Sequence, residues 1–123
     1  MHAKAARAYK KVDLQSSSKT KVLDRLYGRL LADIEEACVA IDQEKVEARA
    51  SAVDHAIRIV TELNAALDFR QAPDLCANLA ALYGYVIDRL EAANLTRDIG
   101  ALREASAVID NLRESFQIAA DHK

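Results

Sequence analysis

Apolar residues recur at steps of three and four along four long stretches of this chain, and this helical period constrains the fold more than any other feature. The alternation of every second residue that marks a half-buried strand is absent from all four stretches. The 123 residues include only three glycines and one proline, so few positions favour a turn. The pattern therefore predicts long helices joined by short connections.

The spacing predicts four helices, over residues 18–42, 45–68, 74–94 and 98–119. Pro73 disfavours helical geometry at the residue before it and suits the start of the third helix, while Thr96 or Asp98 can cap the fourth. Helices of this length with short links pack as antiparallel neighbours. We predict an all-α, antiparallel up-down four-helix bundle over residues 16–123, with a short N-terminal appendage over residues 1–15.

The N-terminal appendage differs in character from the rest of the chain. It is basic up to its first acid, Asp13, and a run of three serines follows it. Its sizeable apolar side chains beyond the first residue are Tyr9, Val12 and Leu14. Two interpretations stay open for these three: a movable lid over an apolar groove, or a permanent cap on one end of the bundle.

The distribution of charge and hydropathy excludes several classes of protein. Acidic and basic residues are interleaved and the net charge is −2, so beyond the appendage there is no basic stripe of the kind that binds nucleic acid. No apolar run reaches the 18 residues that predict a membrane span. The N-terminus lacks the apolar core of a signal peptide. We therefore expect a cytoplasmic protein that neither binds nucleic acid nor inserts into membranes.

The residues that usually carry chemistry do not form a motif here. Neither His55 nor His122 follows a glutamate by three residues, as the ligands of di-iron bundles do. We expect His55, which follows Asp54 on the second helix, to be solvated or locally hydrogen-bonded. Cys38 and Cys76 fall near opposite ends of the predicted bundle, too far apart for a disulfide. We expect no metal, no cofactor and no enzymatic activity.

The predicted third helix carries a wider apolar face than one seam of a bundle requires. On one side of it, Leu82 and Tyr85 stand with Asn78 and Arg89, a mixture of apolar, aromatic and hydrogen-bonding groups that suits a partner surface. An ordinary boundary between core and solvent is the alternative. The complete set of candidate partner-binding residues is Tyr9, Val12, Leu14, Ile57, Asn78, Leu82, Tyr85 and Arg89.

Several segments also resemble a known family, in order and with matching spacings. Residues 8–14, AYKKVDL, are similar to the N-terminal motif of FliS-type flagellar export chaperones, and residues 23–27, LDRLY, match the Leu-x-x-Leu-Tyr of that family's first helix. The most specific match is residues 74–85, DLCANLAALYGY, which resemble the family's Leu-Ala-x-Asn-Leu-x-x-Leu-Tyr-Asp-Tyr segment. Gly28 and Gly84 stand where the family has an acid after the tyrosine.

The resemblance implies a specific function. Members of this family are cytosolic helical bundles that bind the C-terminal helical segment of flagellin. They prevent its premature polymerisation and deliver it to the flagellar type III export apparatus. The residues alone leave an alternative open, a generic helical adaptor or dimerisation module with a different helical partner.

Overall fold

Four helices make up the regular structure of the protein in a computed structural model, which describes residues 17–121 and the side chains of residues 21–118. The helices are α1 (Ser17–Asp42), α2 (Val46–Ala65), α3 (Pro73–Thr96) and α4 (Ile99–Asp121). Within the described residues there is no β-strand. The predicted all-α fold is confirmed, and Tyr9, Val12 and Leu14 lie outside the described part of the chain.

The helices form a closed ring of antiparallel neighbours. α1 packs mainly against α2 and α4, and α3 packs mainly against the same two helices, so α1 and α3 lie diagonally across the bundle. The connections between successive helices are only a few residues long, which makes each helix antiparallel to the next. This order places the contact between α1 and α2 on the opposite side of the bundle from the contact between α3 and α4.

Aromatic side chains join the diagonal helices at the centre of the core. The hydroxyl groups of Tyr27 on α1 and Tyr83 on α3 lie 2.6 Å apart and share a buried hydrogen bond. The ring of Phe116 on α4 packs on Tyr27, with ring centroids 5.7 Å apart. Burial raises the pKa of both tyrosines, so both hydroxyls stay protonated at physiological pH, with one donating to the other. The apolar stripes predicted from the sequence supply most of the surrounding core.

The ends of the helices follow local side-chain and backbone chemistry. Pro73 occupies the first turn of α3, and Arg97 ends that helix in a left-handed conformation with φ 57°. The Asp98 carboxylate then accepts the backbone N–H of Ala101 at 3.3 Å, which caps α4 as predicted. None of the helices between residues 17 and 121 is both long enough and apolar enough to cross a membrane.

The predicted end of the second helix at residue 68 is wrong, because α2 ends at Ala65. Asp68 is 7% exposed, and its carboxylate accepts the backbone N–H of Arg70 at 3.1 Å. This local bond competes with continuation of the helix. Leu67, 6% exposed, turns inward at the same point and becomes part of the core rather than part of the helix.

Candidate partner-binding site

Four of the predicted partner residues lie along one line of α3. Asn78, Leu82, Tyr85 and Arg89 are separated by four, three and four residues, which places them on the same side of a helix. Leu82 is 39% exposed and Tyr85 is 41% exposed, although they adjoin fully buried neighbours in the sequence. Asn78 is exposed and Arg89 is half-buried. The line therefore presents apolar surface to solvent.

This line faces α4 rather than α2. The Arg89 guanidinium lies 3.6 Å from the Glu104 carboxylate on α4, whereas Asn94 accepts a hydrogen bond from Arg49 on α2 at 3.2 Å. Five residues separate Arg89 and Asn94, so the two side chains point about 140° apart around α3. The four residues thus lie at the outer edge of the contact between α3 and α4.

The antiparallel register of α3 and α4 indicates which residues of α4 lie beside this line. Because Arg89 lies opposite Glu104, counting along the two antiparallel helices leads us to expect Tyr85 opposite Val108 and Leu82 opposite Asn111. Val108 is partly buried and packs against the core, so in this register we expect it to continue the apolar surface of Leu82 and Tyr85 onto α4. We call this surface the α3–α4 edge and define it by the residues Asn78, Leu82, Tyr85, Arg89, Glu104, Val108 and Asn111.

Arg89 contacts Tyr85 on this line. Its guanidinium carbon lies 5.8 Å from the centroid of the Tyr85 ring, close enough for a cation–π contact that holds both side chains in place. Its Nε atom is buried, so the guanidinium is partly enclosed where α3 meets α4.

Ile57 does not belong to the α3–α4 edge. It lies on α2, which packs against α1 and α3, and its half-buried side chain packs against the core. The structure therefore brings together Asn78, Leu82, Tyr85 and Arg89 and leaves Ile57 apart.

A polar pair between α1 and α2 escaped the sequence reasoning. The side chain of Asp33 is only 1% exposed, and one of its oxygens, Oδ2, accepts a hydrogen bond from His55 Nδ1 at 2.5 Å. The expected local hydrogen bond of His55 is wrong, because its partner lies on a neighbouring helix, although the His55 side chain stays 44% exposed to solvent. No signal in the sequence pairs these two residues, since the apolar stripes do not fix the rotation of one helix against another.

The described residues offer little to a metal ion. Between residues 17 and 121 no cluster of three or more histidine, cysteine or acidic side chains could hold one. Cys38 and Cys76 are both buried thiols that form no disulfide, and burial raises the pKa of each thiol. Both pack inside the bundle, where the Cys76 thiol also donates to the backbone carbonyl of Asp68 at 3.3 Å.

Comparison with known proteins gives a consistent result. The family model described as flagellar protein FliS matches residues 1–123, the whole chain. The flagellar secretion chaperone FliS of Salmonella typhimurium is 29% identical over 120 residues, covering 94% of this chain and 89% of that protein. The flagellar secretion chaperone FliSB of Pseudomonas aeruginosa is 31% identical over 117 residues, covering 92% and 93%. The Bacillus subtilis protein named flagellar secretion chaperone FliS is 28% identical over 112 residues, covering 91% and 83%.

Proposed function

The chain belongs to the flagellar protein FliS family, and on this premise we propose that it binds the C-terminal helical segment of flagellin along the α3–α4 edge. The resemblance predicted from residues 8–14, 23–27 and 74–85 is confirmed by the family match. The function that goes with it is that of a flagellar secretion chaperone. In this proposal the protein acts in the cytoplasm, keeps flagellin from polymerising early and passes it to the flagellar type III export apparatus.

One observation carries the proposal, the exposure of Leu82 and Tyr85 in the middle of α3, beside the buried Tyr83 and Val86. Leu95 is exposed as well, at 83%, but it lies at the C-terminal end of the helix. An amphipathic client helix can lay its apolar face against these two side chains and Val108. Burying the exposed half of a leucine or tyrosine side chain contributes about 1 kcal/mol each. Aromatic and arginine side chains such as Tyr85 and Arg89 are the residue types that carry most of the energy at protein interfaces.

The polar members of the edge can fix the position of the client. Asn78 offers both a donor and an acceptor, and Arg89 offers donors beside the Tyr85 ring. A client that is poorly ordered before binding loses conformational entropy when it becomes helical. The apolar contacts offset that cost, while the polar contacts set register and direction.

Isothermal titration calorimetry with the flagellin C-terminal segment of the same organism tests this proposal. We expect Tyr85→Ala to weaken binding at least about tenfold, near 1.4 kcal/mol, with little change in the free energy of unfolding. Phe69→Ala is the matched control, because Phe69 is an equally exposed aromatic (49%) outside the α3–α4 edge. Equal affinities for all three proteins, or no binding by the natural sequence, would overturn the proposal.

Residues 1–15 are proposed to act as a movable lid. The motivation is compositional: Tyr9, Val12 and Leu14 are too few to fold alone, and basic residues keep the segment soluble when it is released. A lid closed in about nine of ten molecules weakens client binding about tenfold. Deletion of the segment should then tighten binding in calorimetry. A loss of affinity in a folded truncation would instead mean that the segment contacts the client directly.

A further inference from the structure

The carboxylate of Asp33 is buried between α1 and α2, and only one of its contacts crosses to α2. Asp33 is 1% exposed, and its Oδ2 accepts a hydrogen bond from Nδ1 of His55 on α2 at 2.5 Å. Its other oxygen, Oδ1, lies 3.4 Å from Nε of Arg29, which belongs to the same helix as Asp33. A turn of α2 about its own axis would therefore leave the contact with Arg29 in place and remove the contact with His55.

The two margins of the buried face of α2 carry apolar side chains of different size. The margin that faces α1 carries Ala48 and Ala52, which line a cavity beside His55. The opposite margin carries Val46 and Ile57, which lie nine residues before and two residues after His55 and so point about 180° and 200° from it around the helix. Val46 is 58% exposed and Ile57 is half-buried, so the larger apolar side chains lie on the margin that is turned outward.

Burial of apolar surface alone does not account for this rotation of α2. Turning the helix so that Val46 and Ile57 move inward would bury more apolar surface than the alanines of the other margin would lose. Arg49 donates to Asn94 of α3 at 3.2 Å, but this contact does not prevent such a turn, because the long arginine side chain is only half-buried and can follow.

The pair of Asp33 and His55 opposes that turn. If Val46 and Ile57 moved inward, His55 would move away from α1, and the carboxylate of Asp33 would stay buried without its donor from α2. A buried charge that loses its partner costs more than a partly exposed apolar side chain gains by burial. The observed rotation of α2 is therefore the one that satisfies the buried carboxylate.

We propose that the Asp33–His55 pair is a conformational device, which fixes the rotation of α2 in the bundle and keeps Val46 and Ile57 at the surface. In this role the pair selects one packing of the helix rather than adding net stability, since a buried polar pair contributes little beyond an apolar pair of the same size. An apolar margin beside the contact of α2 with α3 stays exposed as a result. The inference does not depend on where the client binds.

Substitutions of Asp33 test this in the full-length protein. Asp33→Ala removes the hydrogen bond to α2, whereas Asp33→Asn keeps a hydrogen-bonding group of the same shape. Methyl signals are recorded by NMR with a soluble gadolinium chelate, which broadens the signals of exposed methyl groups. We expect Val46 and Ile57 to lose most of this broadening in Asp33→Ala and to keep it in Asp33→Asn. Leu95 on α3, 83% exposed, is the internal reference and should be broadened equally in all proteins.

Glu35→Ala is the matched control on α1. It removes an exposed ion pair with Arg103 of α4, at 3.1 Å, and should leave the broadening of Val46 and Ile57 unchanged. Should Asp33→Ala fail to fold, His55→Ala removes the same hydrogen bond from a position that is 44% exposed. Unchanged broadening in the folded alanine variant, or an equal loss in Asp33→Asn or Glu35→Ala, would overturn the proposal.

A distance measurement distinguishes a turned helix from a loosened one. Spin labels are attached at Arg25→Cys on α1 and Glu47→Cys on α2, which are exposed positions, whereas Cys38 and Cys76 are buried. Electron–electron double resonance should give one narrow distance distribution for the natural sequence and a shifted or second distance in Asp33→Ala. A distribution that only broadens about the same distance would mean that α2 loosens without turning, which would also overturn the proposal.

Discussion

α4 has two long edges, and they are built differently. At its edge with α1, Arg113 donates to both oxygens of Asp24, at 2.9 and 3.3 Å, and Gln117 donates to one of them at 2.9 Å. At its edge with α3, the corresponding polar contact is Arg89 to Glu104 at 3.6 Å, and the exposed Leu82 and Tyr85 lie beside it. One edge is held by a charged hydrogen-bond network; the other leaves apolar surface available.

The surroundings of Gly28 and Gly84 show the same difference between the α1 side and the α3 side of the bundle. An added Cβ on Gly28 of α1 would lie 3.0 Å from Nη2 of Arg113, so the missing side chain lets that arginine cross α1 towards Asp24. An added Cβ on Gly84 of α3 would meet nothing within 4 Å. The contact between α1 and α4 thus requires a small residue at position 28, whereas no neighbouring atom requires one at position 84 on α3. We therefore propose that the first edge contributes to stability and that the second serves binding.

The largest effect should come from closing the α3–α4 edge. Leu82→Glu combined with Asn111→Arg places an ion pair across that edge, because residues 82 and 111 face each other in the register. We expect calorimetry to show about a hundredfold loss of flagellin-segment affinity, near 2.7 kcal/mol. Urea unfolding should change by less than about 1 kcal/mol, since both side chains are exposed. Retained affinity in the folded double variant would contradict the assignment.

Removing the polar contacts between α1 and α4 should have the opposite effect, with lower stability and unchanged client affinity. Arg113→Ala removes two of the three donors to Asp24, which is about one-third exposed, and should lower the free energy of unfolding by about 1–2 kcal/mol. Client affinity should stay unchanged. Arg25→Ala, at an exposed arginine of α1, is the matched control and should alter neither quantity. A drop in client affinity for Arg113→Ala would show that the two edges are not separate.

The two glycines give a smaller, paired effect. Gly84→Ala should raise the free energy of unfolding by up to about 1 kcal/mol, because alanine favours a helix and its methyl group enters open space. Gly28→Ala should raise it less, because the same gain is offset by displacement of Arg113. Thermal or urea unfolding of both variants would measure the difference, and a larger gain at Gly28 would contradict this account.

The smallest effect concerns acid stability. The Arg113 guanidinium beside Asp24 holds the pKa of that carboxyl below its usual range. A carboxyl whose pKa is lower in the folded state contributes stability above its unfolded value, about 3.9, and loses it as the pH falls through the folded value. The natural sequence should therefore lose more stability below about pH 4 than Asp24→Asn does. Parallel acid-unfolding curves for the two proteins would contradict this.

The sequence predicted the fold well because the fold depends on periodicity. The apolar spacing located the four helices that the structure describes between residues 17 and 121, and Pro73 and Asp98 marked two helix starts. The end of α2 was predicted three residues late, because Asp68 bonds locally to Arg70 and competes with the helix. Such competition depends on one side chain, so it does not change the spacing of apolar residues from which the helix was predicted.

The candidate sites were only partly accessible to sequence reasoning. The helical period places Asn78, Leu82, Tyr85 and Arg89 on one line, but it does not say which neighbouring helix that line faces. The pairing of Asp33 with His55 likewise depends on how α1 and α2 are rotated against each other. Periodicity gives the face of each helix, whereas contacts across helices require the packed structure.

Site-specific cross-linking tests the central claim most directly. Ala81 lies beside Leu82 on α3 and Ala32 lies across the bundle on α1; both are exposed, whereas Cys38 and Cys76 are buried. A benzophenone attached to Ala81→Cys should cross-link the flagellin C-terminal segment in high yield, and the same probe on Ala32→Cys should give little product. Comparable yields from the two positions, or a higher yield from residue 32, would contradict client binding at the α3–α4 edge.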